Sequence, residues 1–251
     1  MAGLLGIGGG MMMVPIVTLL LLQRGVESNL AVKMAIATSG ASILFTSVSS
    51  LLAHHRLGAV RWHLVAAFSP GVALGGIAAG AGVLALVRGQ WLALAFAAFN
   101  AVMAWRMWLG GAPRAERRLP GTAGLVGVGA GIGFISALVG AGGAFLSVPF
   151  MTRCSVPMRE AVGTSAALGF PIALASCVGY VLGGWSLPAA LPGAVGYLYL
   201  PGIVIVAMAS VLLAPVGART AQRIAVARLR RVFGLMLGGL AVYMAWQAFK
   251  G

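Results

Sequence analysis

Two short glycine runs carry the groups in this chain best suited to holding a small ligand. Gly8, Gly9 and Gly10 lie just ahead of an apolar segment opening at Met11, and Gly142 and Gly143 lie just ahead of one opening near Ala144 and Phe145. Without side chains to cover them, backbone N–H groups stay accessible, and at a helix start they carry about half a unit of positive charge. Such amides bind anions without a formal charge that must first be stripped of water. Thr38-Ser39 and Thr164-Ser165 add hydroxyls, each pair five to six residues beyond a cation, Lys33 or Arg159, which is about 8 Å of helix rise. Hydroxyls donate to sulfonate or carboxylate oxygens, or else bond carbonyls one turn back in their own helices. Lys33 and Arg159 would either draw anions to the two mouths or snorkel from helix ends. The competing use of the glycines is close helix packing, but the motif occurs twice, each copy followed by a proline, and this favours binding.

That doubling is an internal repeat. Gly6, Gly8, Gly9, Val14 and Pro15 fall opposite Gly140, Gly142, Gly143, Val148 and Pro149 at a constant offset of 134, and the Thr-Ser pairs follow at an offset of 126. The chain therefore divides into a first repeat over residues 1–110, a basic linker over 111–120 and a second repeat over 121–251.

Composition supplies the surroundings. Of 251 residues, 61% are hydrophobic, 8% are charged and 38 are glycine, with a mean hydropathy of +1.02; soluble domains carry about 25% charge. The apolar runs exceed the roughly 20 residues needed to span hydrocarbon as helix and lack the alternation of outer-membrane barrels. An all-α polytopic membrane protein is expected. The net charge of +14 is spread between apolar runs instead of forming a basic-aromatic patch, so it reads as a topology signal and not as a nucleic-acid surface. Cys154 and Cys177 have no CxxC or nearby His partner and read as packing residues. Glu27, Glu116 and Glu160 all fall in loops or at helix ends, so neither carboxylate-coupled transport nor a membrane-embedded enzyme finds its usual residues. His54, His55 and His63 read as interfacial, and Asn100 as an amide joining helices.

The expected elements follow from the apolar runs. Residues 1–22 are broken by the glycines, leaving 11–22 as a short helix; either the half-helix before them is dispensable or the chain begins upstream. Spans are expected over about 31–53, 64–87, 90–109, 160–183, 194–217 and 230–249, with a broken segment over 121–152. Pro15 and Pro149 lie inside the short helices and are expected to bend them. If 121–152 crossed once, basic residues would divide 7 against 10 between the two faces; if it enters, breaks at Gly140 to Gly143 and returns, the division becomes 13 to 4. Arginines near 56–61, 106–118, 153–159 and 219–231 then share a face, as the positive-inside rule requires. Each half becomes a re-entrant broken helix plus three spans, and the odd number of crossings inverts the second repeat against the first. Discontinuous helices in inverted repeats place a site near the midplane.

The doubled G-x-G-G-x-x-x-x-x-P signature, each copy followed by an A/G-T-S element, resembles the sulfite exporter TauE/SafE family of membrane permeases over nearly the whole chain. The resemblance implies a bacterial inner-membrane transporter of sulfite, organosulfonates or related sulfur-containing anions. It carries Gly8, Gly9, Gly10, Gly142, Gly143, Thr38, Ser39, Thr164 and Ser165 over as a central site, flanked by Met11 and Ala144. The expected partners are a small sulfur-containing anion and the lipid bilayer, with no nucleic acid, cofactor or metal; a homodimer is left open. The alternatives are a non-transporting membrane scaffold and a permease for a different small anion.

Overall fold

The computed structural model describes residues 10–109, 118–187, 191–209 and 226–250. Nearly all of them are helical. Helix α1 covers Gly10–Gln23, α2 Ser28–Arg56, α3 Trp62–Leu86, α4 Gly89–Leu109, α5 Thr122–Val139, α6 Ala144–Arg153, α7 Met158–Gly183, α8 Leu200–Ala209 and α9 Val226–Lys250. Helices α2, α3, α4, α5 and α7, together with Arg231–Phe249 in α9, are long and apolar enough to cross a membrane. The protein is an all-α polytopic membrane protein. Two segments of the sequence reading come out differently. Residues 194–199, expected at the start of a span, form a small hairpin in which β1 (Ala194–Val195) pairs antiparallel with β2 (Leu198–Tyr199). Gly193 and Gly196 adopt φ of 83° and 57° there, a backbone that glycine accepts without strain. His54 and His55 lie in the last turn of α2 and His63 in the first turn of α3, so the basic connection is shorter than its composition suggests.

Small residues set the packing. Along the seam between α3 and α5, any side chain at Gly71 or Gly75 would strike the backbone of Val126 or Ala130, and one at Gly133 would strike Val72. Backbones approach this closely only where both helices offer glycine, which replaces the hydrophobic drive that is weak between helices in lipid. The matched order of these contacts means that α3 and α5 run in the same direction. A second seam puts Gly76 and Gly80 of α3 against Ser176 and Gly179 of α7. Around it, α3 loosens into a π-helical stretch over Ala78–Val83, a form taken mostly as a single-turn bulge inside an α-helix.

Contacts at the ends fix the course of the broken segment. The loop between α2 and α3 meets the start of α7, where Arg159 donates to the Leu57 carbonyl at 2.7 Å and Arg61 pairs with Glu160. Helix α5, parallel to α3, starts from that same end, where Leu119, Val60 and Leu51 pack against one buried cluster. Helix α6 runs against α7, since Gly142 lies by Gly169 and Ser147 by Ser165. Its last residue, Arg153, is therefore back at the end from which α5 set out. The opposite end gathers Arg24, which donates to the Tyr199 hydroxyl at 2.6 Å, Lys33, which donates to the Ala85 carbonyl at 3.0 Å, and Arg88, beside the bond from Gly89 to Asn29.

Candidate functional site

Two left-handed glycines make the break between α5 and α6. Gly140 (φ 61°) ends α5, with its own N–H and that of Ala141 both donating to the Ser136 carbonyl, and Gly143 (φ 74°) precedes α6. The N–H groups of Leu146 and Ser147 donate to the Gly143 carbonyl at 3.0 and 2.9 Å. Those of Gly142, Gly143, Ala144 and Phe145 have no acceptor among the described residues, as the first turn of a helix dictates. On the other side of the break, the buried Tyr180 donates its hydroxyl to the Ala137 carbonyl at 2.5 Å, filling one of the acceptors that the end of α5 leaves open.

The first repeat's break meets the second's. Gly10 lies against the Gly140 carbonyl and Ile43, and Gly140 in turn lies against the Ile36 carbonyl and Val14. Ile36, Ser39, Gly40 and Ile43 share one face of α2 by helical spacing, so this face borders both breaks near the helix's middle. Gly142 and Gly143, placed by Gly169 and Ile172, stand level with the middle of α7. Pro15 and Pro149 each lie inside a short helix. Gly8 and Gly9 fall outside the described residues, while Gly10 and Met11 are buried at the start of α1.

The hydroxyls divide into engaged and free. Thr38 accepts the N–H of Tyr199 at 3.1 Å and Thr164 that of Arg61 at 3.0 Å. Both threonines thus join the two halves of the chain, a role that neither ligand binding nor bonding within their own helix describes. Ser165 shares a hydrogen bond of 2.7 Å with Ser147, whose hydroxyl also lies 3.1 Å from the Gly143 carbonyl. The repeat offset sets Met13 where the second half has Ser147, and Ser39, the counterpart of Ser165, has no hydrogen-bond partner among the described residues. Ser136 and the side-chain carbonyl of Asn100 are likewise buried and unpartnered among the described residues. The Asn100 NH₂ donates to Phe96 one turn back in its own helix at 2.8 Å, so it does not join helices as the sequence suggested.

Electrostatically the break is neutral. Lys33 is the one buried charged side chain among the described residues; instead of snorkelling, its ammonium sits on the Ala85 carbonyl and 5.7 Å from the Tyr197 ring centre. Burial pushes the Tyr197 phenol above its ordinary pKa. Arg159 is exposed and reaches the opposite end, so the two cations are not brought together. An open pocket lined by Glu27, Asn29, Arg88, Gln90 and Gln247 lies at the Lys33 end, away from the breaks. Cys154 is buried, Cys177 is partly buried, and neither is in a disulfide. Among the described residues no cluster of His, Cys, Asp or Glu could hold a metal.

Ser136, Ser147, Tyr180 and the tyrosines of the hairpin did not stand out in the sequence. One signal was available for Ser136: it is the sole hydroxyl-bearing residue between Ala123 and Leu146. Comparison with known proteins bears on the chain as a whole. It is 30% identical over 246 residues to a Haemophilus influenzae protein named a probable membrane transporter protein, covering 97% of this chain and 92% of that one. A Xylella fastidiosa protein of the same name is 30% identical over 264 residues, covering 98% and 90%, and one from Methanocaldococcus jannaschii is 24% identical over 254 residues, covering 97% and 90%. No solved structure matches significantly. Residues 1–244 match the model of the family described as sulfite exporter TauE/SafE, and the chain belongs to that family of multi-pass membrane transporters.

Proposed function

We propose that the protein moves sulfite, organosulfonates or related sulfur-containing anions across the bacterial inner membrane, holding the anion at the glycine breaks in the middle of the bundle. The observation that carries this reading is the meeting of Gly10 with Gly140, beside a helix start where the amides of Gly142, Gly143, Ala144 and Phe145 have no acceptor among the described residues. Irregular backbone is tolerated at membrane depth only where protein covers it or a water-filled cavity adjoins it, and free amides there favour a negative solute.

In this reading the two repeats are inverted, with α1 and α6 as half-helices leading from the midplane to opposite faces. The arginine-rich end is cytoplasmic. Outward movement of one negative charge gains about 2.3 kcal/mol per 100 mV of inside-negative potential, so an uncoupled pathway exports. Self-association as a homodimer is compatible with this arrangement.

Flux of sulfite and a small sulfonate through liposomes holding the purified protein tests the reading. Saturable flux above that of protein-free vesicles is expected. A scaffold moves neither anion, and a permease for another anion moves neither while passing its own.

A further inference from the structure

Resting on the anion reading above, we propose that the Ser136 hydroxyl contacts the ligand, and that with the four free amides it forms a site selecting singly charged oxyanions over doubly charged ones. Ser136 is 3% exposed and its hydroxyl has no partner among the described residues. A polar atom so buried is normally satisfied. It stands 3.3 Å from the point a β-carbon of residue 143 would occupy, so glycine at that position leaves the hydroxyl open towards the α6 start. A side chain there would cover it and collide with Ile172. The neighbouring hydroxyl of Ser147 is already engaged by Ser165 and the Gly143 carbonyl. Ser136 is therefore the hydroxyl of this break with donor capacity to spare.

Selection by charge follows from what the site lacks. Its compensation comes from amides, a hydroxyl and a helix start worth about half a positive charge. Among the described residues the one buried cation, Lys33, is held at the bundle's end by the Ala85 carbonyl and reaches the site only as a distant charge. A monoanion leaves a small residual charge in this low-dielectric surround, whereas a dianion leaves more than one unit uncompensated, and burying unpaired charge is strongly unfavourable. Methanesulfonate and sulfate separate the cases, since both present sulfur-bound oxygens but carry one and two negative charges.

The test measures binding of each anion to the purified full-length chain in detergent at matched ionic strength, by calorimetry and by the rise in Tm. Methanesulfonate is expected to bind at least about tenfold tighter than sulfate, and Ser136→Ala to weaken methanesulfonate about tenfold, as loss of a hydrogen bond to a charged group does. Because the hydroxyl bonds nothing among the described residues, Ser136→Ala should leave Tm unchanged in anion-free buffer and shrink only the anion-induced rise. Sulfate binding as tightly as methanesulfonate overturns the charge selection. Undiminished methanesulfonate binding by both Ser136→Ala and Ser136→Gly, or a Tm loss without anion, overturns the role of Ser136. Wild-type protein that binds neither methanesulfonate nor sulfite removes the anion reading itself, and this proposal with it.

Discussion

The N–H of Tyr199 donates to the hydroxyl of Thr38 at 3.1 Å, across 161 residues of sequence. Its counterpart is the bond from Arg61 to Thr164 at 3.0 Å, across 103. In both cases the donor immediately precedes a helix, α8 after Tyr199 and α3 after Arg61, and the threonine lies on the long helix of the other half. Through these threonines each half accepts one backbone hydrogen bond from the other, and the repeated Thr-Ser element is explained first as a joint between them.

Replacing a threonine in that joint is expected to cost stability more than ligand affinity. Thr38→Val keeps the shape but strands a buried N–H, which costs about 1–3 kcal/mol. Thermal unfolding in detergent should show a lower Tm for Thr38→Val and for Thr164→Val, and near wild-type behaviour for Thr38→Ser. A purely ligand-contacting threonine would give the reverse: unchanged Tm and weaker anion binding.

The seam between α3 and α5 makes a second prediction. At Gly75 a side chain would meet the backbone of Ala130 and Phe134, whereas at Gly131 nothing lies within 4 Å. Backbone cannot step aside as a flexible side chain does, so Gly75→Leu should exceed the roughly 1–3 kcal/mol typical of overpacking and yield aggregated or unfolded protein in size-exclusion chromatography. Gly131→Leu should run as the wild type does. Equal tolerance of both would mean that the two helices are not held together at this seam.

The boundaries of α1 and α6 were legible because glycine runs followed by unbroken apolar residues leave little choice of helix start. The long spans were legible because hydrocarbon fixes a minimum length. The partners of Thr38 and Thr164 were not, since hydropathy reports what surrounds a residue and not which distant amide it meets. Ser39 and Ser165 look equivalent in the sequence, yet Ser147 engages one while Met13 stands at the matching place of the other. The hairpin ahead of α8 was hidden by its composition: Ala194, Val195, Tyr197 and Leu198 are as apolar as a span, and only Gly193 and Gly196 mark the turns.

Lys33 offers a test of electrostatics apart from packing. It is 7% exposed, with a carbonyl and a ring for partners instead of a carboxylate. Ser39 is six residues away along α2, roughly 9 Å, and at an effective dielectric of about 20 a unit charge at that range attracts an anion by about 1–2 kcal/mol. Lys33→Met should therefore lower anion flux roughly tenfold at subsaturating concentration while leaving Tm equal or higher, because an incompletely paired buried charge does little for stability. Arg159→Met, at an exposed position on the opposite end, should change flux far less. Equal effects of the two substitutions would assign Lys33 no special part.

Tyr180 controls how firmly the break is held. Its hydroxyl donates to the Ala137 carbonyl at 2.5 Å, and its ring edge lies against Gly40, so one side chain ties the end of α5 to the middle of α2. Tyr180→Phe keeps the ring and its packing but leaves that carbonyl without its donor. The loss, about 1–3 kcal/mol for an unsatisfied buried group, falls on a short stretch with few other ties, so it should appear as local opening before it appears as global unfolding. Hydrogen exchange followed by mass spectrometry should then show faster exchange in peptides covering residues 137–145 of the variant, with the helices of the α3 and α5 seam unchanged. A wild-type exchange pattern would mean that the left-handed glycines alone set the shape of the break. An increase spread over the whole bundle would make Tyr180 a general core residue instead of the fastening of this one segment.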